Sequence, residues 1–395
     1  MSRSGVTALV LLISLTAGQG QSDHDLHCAV DHCSPKLWPR PRAISEISRR
    51  ISTEPTLRLA LSKVLATWNS TSGSACSVRE ISGPEGLLVF LDGWFSYPPC
   101  APSNFSHVFT DIWASDAGRA LLRDDVEARR VVEEFVHARG RAMDSADSQR
   151  WIEPWTADPR VNMSDFEIPV GGWDSFNAFF SRALRPGARP IHSPDDDCVV
   201  VAPSDSDCRI LDISSDSRRI TLKGQALDLV QVFGDGEKGR GLAKVLWGGQ
   251  MATCTLLPWN YHRFHAPVAG VVLWTREVGG LIYGVEDTVA NEFYGQRRRA
   301  VVALQNDEVG VVAVVAVGFA TISSISLSVR QGQNITKGQQ LGYFAYGGST
   351  VAVLFQRGAV DVALNATSTR TLHVGAHLAR CRHTADTSAP PFSHL

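Results

Sequence analysis

The chain has 395 residues, 44% hydrophobic and 20% charged, a composition that excludes wholesale disorder and sets a prior of two or three domains. Lysine plus arginine total 38 against 40 acids, a formal charge of −2, which excludes a strongly basic nucleic-acid binder. Eight cysteines are too few to build a disulfide miniprotein.

In chain order, residues 1–20 read as a cleaved secretory signal. Arg3 precedes the apolar stretch Val6–Ala17, and Gly18 and Gly20 are the small residues a signal peptidase needs. The stretch is shorter than the roughly 20 residues of a bilayer span. The predicted route is therefore the secretory pathway, in the endomembrane lumen or outside the cell. An even cysteine count suits disulfide pairing there, with connectivity left open. Five N-x-S/T triplets, at Asn69, Asn104, Asn162, Asn334 and Asn365, agree with the same route.

Residues 21–165 are predicted to form a helical N-terminal domain. Ile44, Ile47, Ile51, Leu57, Leu61 and Leu65 recur at helical spacing, broken at Pro55, and predict an amphipathic pair over Ala43–Trp68. Packing on the domain core is its expected role. A membrane surface is the alternative, because Arg42, Arg49 and Arg50 lie close by. A further helix is expected over Arg123–Met143. Residues 144–172, rich in Asp, Ser, Pro and Gly, read as a linker or wrapping segment. Trp173–Leu184 predicts a short helix with Phe176, Phe179 and Phe180 on one side.

The remainder, 166–395, becomes strand-like after about residue 190. Runs at Cys198–Ala202, Arg209–Ile213, Lys244–Trp247, Ala252–Leu257, Gly270–Trp274, Ala300–Leu304, Gly310–Val317 and Val351–Phe355 are separated by Gly, Asp and Pro. They predict a mostly antiparallel β domain, with a helical turn or two near Ala226–Phe233. The fold class is α+β.

Three segments in the β part carry candidate chemistry: the turn Pro203-Ser-Asp205-Ser206, the histidine box Tyr261-His262-Arg-Phe-His265-Ala-Pro-Val-Ala-Gly270, and Gly347-Gly348-Ser349-Thr350 before a strand. Singly, each reads as an ordinary turn, a pair of strand-end histidines or a hairpin. No CxxC pair or third ligand near the histidines suggests a metal site. With the lead segment Phe179-Phe-Ser-Arg-Ala-Leu-Arg-Pro-Gly-Ala-Arg-Pro-Ile191 and the turn Gly332–Gly338, their order resembles the pyruvoyl-dependent phosphatidylserine decarboxylase family over roughly 174–358. The segment Leu91–Tyr97 is similar to the N-terminal part of a soluble fungal-type branch that includes aromatic amino acid decarboxylases.

The resemblance implies a decarboxylase domain with a hammerhead-like β turn, made as a zymogen and cut autocatalytically between Gly348 and Ser349. Ser349 would attack the Gly348 carbonyl and end as a covalent pyruvoyl group, the electron sink that amino-acid decarboxylation requires. It assigns His265 as the base that activates Ser349, oriented by Asp205 in a Ser–His–Asp arrangement. His262 would act later on the substrate. Gly348, lacking Cβ, lets the serine approach and tolerates strain. The implied substrate is phosphatidylserine, converted to phosphatidylethanolamine and CO2 with peripheral membrane contact. The alternative substrate is a free aromatic amino acid such as L-tryptophan. An alternative of another class is a non-catalytic secreted binding protein on the same scaffold. The two chains left by cleavage would stay together non-covalently or through Cys381, in a homodimer by resemblance. The sequence departs from the family at Ser206, where glycine is usual, and at Asn291-Glu292-Phe293, where arginine usually follows.

Overall fold

The structure is a computed structural model that describes residues 42–71, 81–96, 99, 108–109, 111–113, 115–212, 219–222, 225–279, 298–319, 324–364 and 369–382. The expected signal at 1–20, Cys28, Cys33, Cys76, Cys100, Asn104, Asn365 and the run Asn291–Phe293 lie outside them. The described residues divide into two compact units, one up to Phe135 and the other from Val136 onward.

In the first unit α1 (Arg42–Thr53) and α2 (Pro55–Thr71) form the expected pair, with Pro55 at the first helical position, where its missing N–H costs nothing. Ile44, Ile47 and Ile51 of α1 and Leu57, Leu61 and Leu65 of α2 are buried, so both stripes lie inside the unit's own core. Helix α3 (Gly83–Ser96) supplies Trp94, whose ring lies 4.9 Å from Phe109 and 5.2 Å from Phe135. The helix expected over Arg123–Met143 is α5 (Val126–Asp144), preceded by a separate helix α4 (Asp116–Asp124). Asp125 makes the break, because its carboxylate accepts the N–H groups of Glu127 and Ala128 and caps α5.

The boundary between the compact units falls inside α5, and 144–172 lies in the second unit. Through α6 (Ile152–Thr156) it places Trp155 edge-on to Phe176, Phe180 and Tyr346. Within the expected helix at Trp173–Leu184 only α7 (Phe176–Phe180) is helical, started by Ser175 accepting the Ala178 N–H. Leu184 instead bridges to Phe166.

The second unit is built on an eight-stranded sheet ordered β11-β7-β8-β9-β13-β5-β2-β15. Its strands are β2 (Ser206–Asp212), β5 (Gln250–Leu256), β7 (Gly270–Val278), β8 (Arg299–Asn306), β9 (Gly310–Phe319), β11 (Asn334–Ile335), β13 (Gly348–Phe355) and β15 (Arg370–Leu372), all paired antiparallel. A second sheet sets β12 (Gln340–Phe344) between β10 (Ile325–Leu327) and β6 (Arg263–His265). A third sets β16 (His377–Cys381) between β1 (Val199–Val201) and β14 (Val360–Val362), and β3 (Arg219–Leu222) pairs with β4 (Gln225–Asp228).

The short helix α8 (Leu229–Phe233) falls where helical turns were expected. The run Lys244–Trp247 is not a strand; it ends α9 (Glu237–Val245) and the turn after it. Leu242, Ala243 and Leu246 are its buried face. Side chains of β13 alternate between two cores. Val351, Val353 and Phe355 enter one, and Ala352 and Leu354 the other.

Candidate active site

Strand β13 is a central strand, bonded to β9 on one side and β5 on the other. Ser349 sits second in it, opposite Gly318 and Leu256, and is fully buried. It shares parity with Val351 and Val353, so its side chain faces the core that also holds Phe264 and Phe344. Gly348 is itself paired, opposite Phe319. The positive φ in this loop falls one residue earlier, on Gly347 at +155°.

The structure brings His262, not His265, to Ser349. Ser349 Oγ lies 3.4 Å from His262 Nδ1, and both residues are fully buried. The tautomer follows from the other ring nitrogen. Nε2 lies 3.0 Å from the Leu257 carbonyl and 3.3 Å from that of Pro258, groups that only accept, so Nε2 carries the hydrogen. Nδ1 therefore presents its lone pair to the serine hydroxyl. The ring stacks on Phe180, centroids 3.9 Å apart. Burial, with a smaller push from the Arg182 charge, lowers the His262 pKa to about 3, against the two carbonyl bonds that raise it. The imidazole is thus neutral at ordinary pH.

His265 and Asp205 are held elsewhere. His265 Nδ1 donates to the Gly338 carbonyl at 2.7 Å, and its Nε2 accepts from the Tyr261 hydroxyl at 2.9 Å. Burial lowers its pKa as well, opposed by the Gly338 bond and by Asp205. The Asp205 carboxylate takes both Nε and Nη2 of Arg189 at 3.0 and 2.7 Å, the Val374 N–H at 2.8 Å, and lies 3.3 Å from His373 Nδ1. Its acceptor sites serve this network rather than His265. The Ser349–His265–Asp205 relay implied by resemblance is therefore not the arrangement assembled here.

Three further residues hold the site, and motif reading gave them no role. Asn177 Oδ1 accepts the Tyr346 N–H at 3.0 Å while its Nδ2 donates to Asp144 at 2.7 Å, which fixes the loop three residues before Ser349. Arg182, fully buried, donates from Nη2 to the carbonyls of Trp259 and Asn260, each at 3.1 Å. Phe180 supplies the wall against His262. The turn 257–260 thus directs four successive carbonyls at two donors, His262 Nε2 and Arg182 Nη2. All three residues lie in or beside α7, so the aromatic spacing there was the available signal. Arg263 braces the box, donating to the Ser181 carbonyl and to Gln340.

A buried serine thus faces a neutral imidazole at a Gly–Ser bond inside a central antiparallel strand, a residue pair of the nucleophile-and-base type. The family model for phosphatidylserine decarboxylase matches residues 176–380, and the chain belongs to that family. It is 30% identical over 233 residues, 58% of its length, to phosphatidylserine decarboxylase proenzyme 3 of Schizosaccharomyces pombe, of which it covers 24%. It is 31% identical over 271 residues, 66% of its length, to proenzyme 2 of Oryza sativa subsp. japonica, of which it covers 42%. The proenzyme of Chlamydia trachomatis is 32% identical over 209 residues, with 52% of this chain and 67% of that protein covered. The chain thus spans less than half of the yeast and rice proteins. The likeness of Leu91–Tyr97 to an aromatic amino acid decarboxylase branch finds no support in these matches.

Proposed function

We propose that the chain is a proenzyme that cuts itself between Gly348 and Ser349 and then decarboxylates phosphatidylserine to phosphatidylethanolamine. The observation that carries this is the lone pair of His262 Nδ1 aimed at Ser349 Oγ. In the cut, Oγ bonds to the Gly348 carbonyl carbon and its proton passes to Nδ1. The Gly348–Ser349 C–N bond breaks as the proton returns to the released amine, leaving an ester. Elimination across Ser349 then frees Gly348 as a carboxyl terminus, and hydrolysis of the resulting dehydroalanine releases ammonia. The separation of 3.4 Å exceeds a formed hydrogen bond, so the pair must close by about 0.5 Å for the transfer.

The carbonyls of Leu257 and Pro258 stabilise the transient positive charge on the ring. Phe180 keeps water off it and Asn177 keeps Tyr346, hence the scissile loop, in place. This donor set suits a pyruvoyl group at residue 349, since it offers a buried nucleophile beside a neutral base. When formed, such a group supplies an electron sink for loss of CO2. His262 remains beside that position to move a proton there.

The disulfides Cys198–Cys381 and Cys208–Cys254 support the secretory route proposed for 1–20, since such bonds persist in oxidising compartments. The test is reducing gel electrophoresis with a phosphatidylserine decarboxylation assay. Wild type should run as two chains and release CO2, and Ser349→Ala as one inactive chain. A single wild-type band without activity refutes the reading.

A further inference from the structure

The geometry points to the turn 168–173 as a membrane-docking loop, which sets an apolar tip into a phospholipid bilayer; the inference rests on a diacyl lipid being the substrate. Ile168 is 55% exposed and Val170 is 107% exposed, with Pro169 exposed between them. Isolated surface aliphatics are ordinary, but adjacent ones at the apex of a braced turn mark a contact site.

The turn is held outward from both ends. Glu167 N–H donates to the Ala183 carbonyl, Gly172 N–H to the Pro169 carbonyl, and the Trp173 carbonyl accepts from Gln149, each at 2.9 Å. The Trp173 ring stands edge-on to Phe179 at 5.2 Å. Gly171 and Gly172 close the turn at φ +88° and +84°, where a side chain would be strained. Such bracing prevents the tip from folding back onto the protein.

Its root lies at the candidate site. Phe166, two residues before Ile168, is buried with the Arg182 guanidinium 4.1 Å over its ring and Tyr261 6.1 Å away. Arg182 holds the turn before His262, and Tyr261 bonds His265. The root of the tip thus adjoins the histidine box.

The shape selects the occupant. Each side of a stable protein interface covers about 800 Å², more than this short convex tip presents, whereas a bilayer accepts a few protruding aliphatic side chains. Arg160 is paired with Asp158, which leaves Arg185 against Glu167 and Asp174, so the exposed charges in this stretch hold no positive excess. Apolar insertion rather than headgroup attraction is therefore the driving term, and binding should change less than about twofold with salt.

The test is sedimentation of the full chain with phosphatidylcholine vesicles containing phosphatidylserine. Wild type should sediment. The double variant Ile168→Asp/Val170→Asp should partition roughly tenfold or more weakly, keep its melting temperature, and still decarboxylate a short-chain phosphatidylserine dissolved as monomers. Equal sedimentation of the two proteins, or a wild type that stays in solution, overturns the inference. So does a variant that loses turnover of the dissolved lipid, or a wild-type dimer that the variant breaks, since these assign the turn to folding or to self-association. Vesicle binding lost in the variant, with a wild type inactive on both lipid forms, leaves docking standing and removes the decarboxylase reading.

Discussion

The disulfide Cys198–Cys381 joins residues on opposite sides of the proposed cut, 183 positions apart. Before cleavage it closes one long loop. Loop-entropy arithmetic for that length gives about 5 kcal/mol of stabilisation at 25 °C, the upper end of what disulfides contribute. After cleavage it closes no loop but ties residues 349–395 to the rest of the protein, holding the two chains at high effective concentration. The two effects separate experimentally. On the uncut Ser349→Ala background, Cys381→Ser should lower the melting temperature by on the order of 10 °C. In the self-cut protein, electrophoresis should show one band without reductant and two with it, and Cys381→Ser should give two bands in both lanes. The variant should nevertheless elute as one species in gel filtration, because β13 is bonded on both edges. An unchanged melting temperature on the uncut background, or wild-type chains that separate without reductant, refutes this account of the tether.

Other expectations concern the site. His262→Ala should slow self-cleavage about 100-fold or more, the contribution of a positioned base, while His265→Ala should slow it far less; a gel time course with equal rates for the two contradicts the geometry. Asp205→Ala leaves Arg189 without its bidentate partner but with Asp165 still paired, and should cost about 1–3 kcal/mol of stability in urea unfolding; an unchanged midpoint contradicts the ion-pair role. Asn177→Leu removes the acceptor for the Tyr346 N–H and should cost about 1–3 kcal/mol together with slower cleavage, both absent if the clamp is incidental. His262 stays neutral in the folded chain down to a pKa of about 3, whereas the unfolded chain takes up its proton near pH 6.5. The unfolded state then binds more protons, so stability should fall by about 1.4 kcal/mol per pH unit below 6.5 from this residue alone. His262→Asn should flatten that slope, and a slope identical to wild type would show that another group carries it.

The strands that position the site were legible because β-branched runs between turn residues carry their own signal, as at Gly310–Phe319 and Gly348–Phe355. Lys244–Trp247 misled because a short apolar run looks alike in a strand and on the buried face of a helix. Ser349 and both histidines could be picked out, but not which histidine meets the serine. Residues three apart in an extended segment point to opposite faces, and only the tertiary contact of His262 Nδ1 with Ser349 Oγ chooses between them. The partners of Asp205 were hidden for a similar reason. Its partner Arg189 lies 16 positions earlier, in a segment whose spacing gives no hint of an ion pair. The stripes of α1 and α2 fitted a membrane surface as well as a core until burial decided for the core.

Intact-mass analysis of the purified protein after reduction decides whether the chain cuts itself between Gly348 and Ser349. Self-cleavage should yield a fragment beginning at residue 349 that is lighter by one ammonia than the same fragment with an amino-terminal serine, and a second fragment ending at Gly348. A single unbroken chain, or a 349–395 fragment that keeps a free serine terminus, would contradict it.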